Sequence, residues 1–101
     1  MRIKTGADIR KLQDVVNLTV AVLYKYAPRK YTFNDVVSAV DKYMQGTSLN
    51  LSRLRYFLLI QDLLNVYEER GFVKLQNGIY ETDITKMPFS FHDGDCDEID
   101  L

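Results

Sequence analysis

The stretch FVKLQNGIYETD, residues 72–83, predicts a β-hairpin, which is the clearest local element of the sequence. Asn77-Gly78 supplies the two residues of positive φ that a type I′ turn needs, between strands predicted at Phe72–Gln76 and Ile79–Asp83. A two-residue loop also sets the strand register. The predicted cross-strand pairs are Val73 with Thr82, Lys74 with Glu81, and Leu75 with Tyr80.

Two helices are predicted upstream of this hairpin. Apolar residues at helical spacing make a wide stripe over residues 8–26, and Ala27-Pro28 ends that helix because proline disfavours helical geometry in the residue before it. The stripe comprises Ile9, Leu12, Val16, Val20 and Leu23. A second helix is predicted from Phe33 to Gln45, with Thr32 and Asp35 as a variant capping box at its start and Gly46 as its C-terminal cap.

The segment from Leu49 to Arg70 contains no Gly or Pro and predicts a third helix. Plotted at 100° per residue, its apolar face changes sides near Leu58. Leu51, Leu54, Phe57 and Leu58 form one cluster, and the apolar residues from Leu59 to Tyr67 form another. Two interpretations follow: the helix kinks there, or one straight helix packs its own core with one half and a second surface with the other.

Composition and charge restrict the possible functions. The chain has 101 residues, 47% of them hydrophobic, which predicts a single domain with a sizeable core. Residues 1–60 carry ten Lys and Arg against four Asp, a net charge of +6, whereas residues 61–101 carry three bases against ten acids, a net charge of −7. A basic body with an acidic tail is common among proteins that meet nucleic acid.

Several classes of protein are disfavoured. The single histidine, His92, lies beside Asp93 without a nucleophile context, so no catalytic site, cofactor or metal is expected. One cysteine, Cys96, precludes an internal disulfide, and no leader peptide or long apolar run is present. We therefore expect a cytoplasmic, intracellular protein without a membrane partner.

The order of the predicted elements resembles the winged helix-turn-helix family. The residues that carry the resemblance are Tyr31–Val36 at the start of the second helix, the turn Gly46–Ser48, and Leu63–Val73 where the third helix leads into the hairpin. The implied fold is mainly α with a β-hairpin: three helices, a two-stranded wing and an irregular acidic tail. Residues 1–84 would form the domain and residues 85–101 the tail.

The resemblance implies a sequence-specific DNA-binding protein, namely a small transcriptional regulator like those of viruses and mobile elements. Its third helix would enter the major groove of double-stranded DNA, and its wing would contact the backbone. The implied DNA-binding residues are Ser48, Asn50, Ser52, Arg53, Arg55 and Tyr56 on the third helix and Lys74, Gln76 and Asn77 on the wing. The alternative is a module that binds protein instead, as an assembly subunit or an enzyme inhibitor, through the apolar second half of the third helix.

Two further expectations concern assembly and the tail. The first helix is apolar nearly all round and the third changes face, so together they offer more apolar surface than one small core hides, which predicts a homodimer. The tail at residues 93–101 carries five acids and is expected to compete with DNA for the arginine face or to contact a protein partner. The alternative is a solubilising tail that makes no contact. Its apolar residues Ile99 and Leu101 suggest an anchor.

Overall fold

A computed structural model describes residues 2–88, 91 and 94–101 of the chain as an α+β fold. Within these residues, three α-helices pack with a three-stranded antiparallel sheet of order β1-β3-β2. The elements are α1 (Leu12–Tyr26), β1 (Lys30–Thr32), α2 (Phe33–Met44), α3 (Arg53–Glu69), β2 (Val73–Gln76) and β3 (Ile79–Thr82). Short 3-10 turns at Gly6–Asp8 and Ile84–Lys86 flank this set.

The predicted hairpin and its register are confirmed. Asn77 and Gly78 have φ angles of 54° and 78°, as a type I′ turn requires. All three predicted cross-strand pairs form, from Val73 with Thr82 to Leu75 with Tyr80.

The prediction of a two-stranded sheet is wrong, because Lys30–Thr32 forms a third strand on β3. A strand of three residues is too short to show the alternation by which strands are found in sequence. Tyr31 holds it in place: its ring is 2% exposed, and its hydroxyl lies 2.6 Å from the hydroxyl of Thr82 on β3. Burial raises the pKa of Tyr31 to about 12.

The helix α1 starts at Leu12 and not at Asp8 as predicted. Gly6–Asp8 is a separate 3-10 turn. Lys11 has an extended backbone and is the N-cap residue of α1. Leu12, assigned to the buried stripe, is 53% exposed, but the helix beyond it is the centre of the core. Its fully buried apolar residues are Val15, Leu18, Val20, Ala21, Val22 and Leu23. The chain thus covers several sides of α1 itself, so this helix gives no reason to expect a dimer.

A buried carboxylate stabilises the start of α1. Asp14 is 4% exposed and accepts hydrogen bonds from the backbone N–H groups of Arg10 and Lys11 at 2.9 and 3.2 Å, with Lys4 Nζ 3.6 Å away. The hydrogen bond from Arg10 is the main cause that lowers the pKa of Asp14, against the effect of burial. The ionised form is therefore the one that stabilises the fold.

Asp14→Ala should lower the free energy of unfolding by about 1 to 2 kcal/mol at neutral pH, because two backbone donors lose their acceptor. A lowered pKa in the folded state means that this stabilisation is present above the ordinary pKa of Asp and is lost as the pH falls through the folded value. Urea unfolding at neutral pH and below about pH 4 checks this. A difference between wild type and variant that does not shrink in acid would contradict the assignment.

The start and end of α2 agree with the sequence. The Thr32 hydroxyl accepts from the backbone N–H of Asp35 at 3.2 Å, and the Asp35 carboxylate accepts from the N–H of Thr32 at 2.8 Å, which confirms the capping box. The helix ends at Met44, and Gly46 follows with a φ of 81°.

The helix α3 is continuous and keeps one buried face, which contradicts the predicted change of sides. It begins at Arg53 and not Leu49, because Ser52 is its N-cap and accepts from the N–H of Arg55 at 3.3 Å. Tyr56, Ile60, Leu64 and Tyr67 face the core along its whole length. Leu54 and Leu58, predicted to be buried, are 67% and 52% exposed.

The described part of the tail packs on the body. Ile99 and Cys96 are 1% and 7% exposed, and the N–H of Ile3 donates to the carbonyl of Asp95 at 3.3 Å. The hydroxyl of Tyr43 on α2 lies 2.8 Å from the carbonyl oxygen of Asp100 and accepts from its N–H at 2.5 Å. Ile99 is thus an anchor, whereas Leu101 is 37% exposed.

Candidate interaction surface

The loop before α3 is held by hydrogen bonds that position the start of the helix. The Thr47 hydroxyl donates to the carbonyl of Ile9 at 3.0 Å and accepts from the N–H of Leu49 at 3.1 Å. The N–H of Leu51 donates to the carbonyl of Leu49 at 2.8 Å. Ser48, Asn50 and Ser52, three of the predicted DNA-binding residues, lie exposed on this loop.

The three candidates within α3 have different surroundings. Arg53 is exposed, but its Nε donates to Oδ2 of Asp41 at 3.1 Å, and its Nη2 forms an ion pair with the same oxygen at 3.1 Å. The side chain of Arg55 is exposed, and the described residues show no ion pair for it. Tyr56 is 6% exposed and belongs to the core, so its assignment to the solvent face is wrong. A ring in the core is unavailable to a phosphate or a base.

The hairpin candidates lie on exposed positions at its tip. Lys74, Gln76 and Asn77 line a shallow depression together with Lys30, Ile79 and Glu81. The register places Lys74 directly opposite Glu81, with Lys30 on the other side of the same residue. The two lysines therefore flank a carboxylate, which reduces the positive potential that they offer to a phosphate.

Part of the positive charge of residues 1–60 is engaged in contacts within the fold. Several of its cations contact acceptors within the described part of the chain, and these contacts are spread over the molecule. They are Arg2 with Glu98, Lys4 with Asp14, Lys42 with the carbonyl of Asp100, and Arg53 with Asp41. The described tail contacts residues 2–5 and α2, whereas Arg53 pairs with Asp41, so shielding of the arginines by the tail gains no support.

The exposed side of α3 carries instead a patch of apolar and oppositely charged side chains. We call it the α3 patch; it consists of Leu54, Arg55, Leu58, Asp62 and Val66. Leu54, Leu58 and Val66 are 67%, 52% and 41% exposed, and Arg55 and Asp62 are exposed between them. At 100° per residue the five positions fall within an arc of about 120°, which also contains the exposed polar residues Asn65 and Glu69 toward the end of the helix. A mixed face of this kind fits a protein surface better than a phosphate backbone.

Sequence reasoning missed this patch because it assigned the wrong rotation to the first half of α3. The predicted protein contact was the second half of the helix, but there Ile60, Leu64 and Tyr67 are core residues. The sequence holds a partial signal, because Tyr56, Ile60, Leu64 and Tyr67 recur at helical spacing through the whole segment and would leave Leu54 and Leu58 outside the core. Leu54 and Leu58 belong to a second apolar stripe in the first half of the helix, so periodicity alone does not decide between the two.

Other kinds of site find no support in the described residues. Across residues 2–88, 91 and 94–101, no three His, Cys, Asp or Glu side chains are grouped as metal ligands. His92 and Asp93, considered for catalysis and metal binding, lie outside the described residues. None of the described helices is both long and apolar enough to cross a membrane. Comparison of the chain with family models, curated proteins and solved structures gives no match.

Proposed function

We propose that the chain is a protein-interaction module of winged-helix type that binds its partner through the α3 patch. The order of elements, helix, short strand, helix, helix and hairpin, supports the architecture. The observation that carries the function is the exposure of Leu54 and Leu58, at 67% and 52%, on the helix that leads into the hairpin.

The hydrophobic effect disfavours the exposure of Leu54 and Leu58 to water. Each of them gains about 25 cal/mol for every Å² of apolar surface that a partner covers. They stand one turn apart on a helix whose position is set by the buried residues on its opposite side. A rigid helix face with apolar anchors and flanking charges is a common means of protein recognition.

The charges on α3 favour protein over DNA as the partner. Asp62, Glu68 and Glu69 are exposed on the same helix as Arg53 and Arg55. Carboxylates near a major groove repel the phosphates of DNA. Arg53, at the start of α3, already forms an ion pair with Asp41. The partner is therefore a protein: a second copy of the chain, a larger assembly or an enzyme that the module inhibits.

Photo-crosslinking from position 58 tests the proposal. A photoreactive residue in place of Leu58 should give protein adducts in cells that make the protein naturally, because this side chain would lie within the interface. Thr85, exposed on the 3-10 turn after β3, is the matched control position and should give none. Equal labelling from both positions, or none from position 58, would exclude the α3 patch as an interface with a different protein.

DNA binding is the second candidate function, favoured by the exposure of eight of the nine predicted residues, all but Tyr56. On that interpretation, replacing Arg53 and Arg55 with Ala weakens DNA binding more than about tenfold and leaves the melting temperature nearly unchanged. Titration of DNA binding with salt separates the two functions. A steep loss of affinity with rising salt indicates phosphate contacts, and no binding at low salt excludes DNA.

A further inference from the structure

We infer that the α3 patch binds the α3 patch of a second copy of this chain, with the two helices antiparallel about a two-fold axis. In this arrangement Leu58 lies against the partner's Leu58, and Arg55 forms an ion pair with the partner's Asp62. The inference rests on the proposed function and names the partner that the patch fits.

The first argument is the spacing of the two charges. Arg55 and Asp62 are seven residues apart, about 10 Å along the helix axis, and they lie on the same side of α3. Neither takes part in an ion pair within the described residues. An antiparallel second helix presents the same two charges at the same spacing in reverse order. Each arginine then meets a carboxylate, and the two-fold axis produces the pair twice.

The second argument is the position of the apolar residues. Leu58 lies between Arg55 and Asp62, next to the point where the two-fold axis would pass. Leu54 marks one end of the patch and Val66 the other, so antiparallel packing directs the Leu54 end of one helix toward the Val66 end of its partner. Leu54 and Leu58, the two most exposed apolar side chains of α3, are thus both covered by one contact.

The charge of the whole helix also selects the antiparallel arrangement. Arg53 and Arg55 lie in its first turn, and Asp62, Glu68 and Glu69 lie in its second half. A parallel pair would place like charges together, whereas the antiparallel pair places opposite charges together and aligns the helix dipoles favourably. Like-charge repulsion therefore excludes the parallel alternative.

The size of the contact sets the expected strength. One helix of 17 residues against its copy is small beside the roughly 1,200 to 2,000 Å² of a standard stable interface. We expect a reversible dimer with a dissociation constant of about 10 to 100 μM. Sedimentation velocity of the full-length chain should therefore show the dimer fraction rising over that range of concentration.

A charge-swap series tests the pairing itself. Arg55→Asp alone and Asp62→Arg alone should each weaken the dimer about tenfold or more, because each places like charges across the two-fold axis. The double variant Arg55→Asp/Asp62→Arg should restore dimerisation, because the pairs form again with their signs exchanged. Lys86→Asp, an equal change of charge at an exposed residue of the 3-10 turn after β3, is the control and should leave the dimer unchanged.

Three outcomes would overturn the inference. A chain that remains monomeric at about 500 μM has no such interface. A dimer that is insensitive to both single charge reversals uses another surface, and a double variant that stays monomeric excludes the Arg55 to Asp62 contact. The failure of the proposed function is a separate result: adducts from position 58 to a different protein would support a protein-interaction module and overturn self-pairing. No adduct from position 58 in cells, together with a chain that stays monomeric at about 500 μM, would overturn both.

Discussion

Leu64→Ala should lower the free energy of unfolding by about 2 to 5 kcal/mol, because it truncates a fully buried side chain of α3. Leu64 is 0% exposed and lies between Ile60 and Tyr67 on the core side of the helix. Removing its isobutyl group loses buried apolar contact and leaves a cavity that the surrounding side chains fill only in part. Chemical denaturation followed by circular dichroism measures the change.

Leu58→Ala is the matched control, since it makes the same chemical change six residues away on the same helix. Leu58 is 52% exposed, so its truncation should change stability by no more than about 0.5 kcal/mol in the monomer. Measuring both variants at low micromolar concentration keeps dimerisation from contributing. If Leu58→Ala were the more damaging of the two, the rotation of α3 would be that of the sequence prediction, with Leu54 and Leu58 in the core.

Ile99→Ala should lower the free energy of unfolding by about 2 kcal/mol, at the lower end for a buried isoleucine because a terminal segment relaxes more easily than a core helix. Ile99 is 1% exposed, and its segment also holds Cys96 and the hydrogen bond from the N–H of Ile3 to the carbonyl of Asp95. Loss of the anchor should therefore speed hydrogen exchange at the amide of Ile3. Denaturation and exchange together measure the contribution of tail docking.

The neighbouring Leu101 provides the control for this experiment. It is 37% exposed, and Leu101→Ala should leave both the stability and the exchange of Ile3 nearly unchanged. The acidic residues of the tail remain intact in both variants, so a change in net charge does not enter the comparison. Identical behaviour of Ile99→Ala and wild type in both measurements would show that the tail does not dock in solution.

The acidic tail has contacts in the fold that its sequence does not indicate. The sequence places its five acids in one short segment, which predicts a solvated tail or a competitor for basic residues. In the fold, Glu98 hydrogen-bonds Arg2 and accepts from the Thr5 hydroxyl at 3.3 Å, which lowers the pKa of Glu98 chiefly through Arg2. The described end of the chain is therefore part of the packed body, and the carboxylate of Glu98 binds Arg2 and Thr5 near the start of the chain.

Local features were predictable because short-range chemistry decides them. Asn77-Gly78 forms its turn through backbone conformations that these two residue types adopt readily. The reciprocal hydrogen bonds of Thr32 and Asp35 span only three residues. The end of α1 before Pro28 follows from the geometry of proline itself. Each of these could be read from a few neighbouring residues.

The candidate site was only partly predictable. Eight of the nine residues proposed from the sequence are exposed as expected, but the side of α3 that carries Arg55 also contains Leu54 and Leu58. Apolar residues occupy both sides of the first half of α3, so periodicity alone does not decide which side is buried. The strand β1 was missed because three residues are too few to show a periodic pattern.

By itself, the sequence determined three helices, a hairpin with its register, the capping of α2 and the uneven distribution of charge along the chain. Only the tertiary structure decided the rotation of α3, the third strand and the docking of Ile99. The physical reason is that burial depends on which distant residues pack against a surface. The elements α1, α2 and β2 contact α3, and Tyr56, Ile60 and Leu64 are buried, whereas Leu58 is 52% exposed. Likewise, cations close in sequence contact acceptors that only folding brings near them, as Arg2 does with Glu98, 96 residues away.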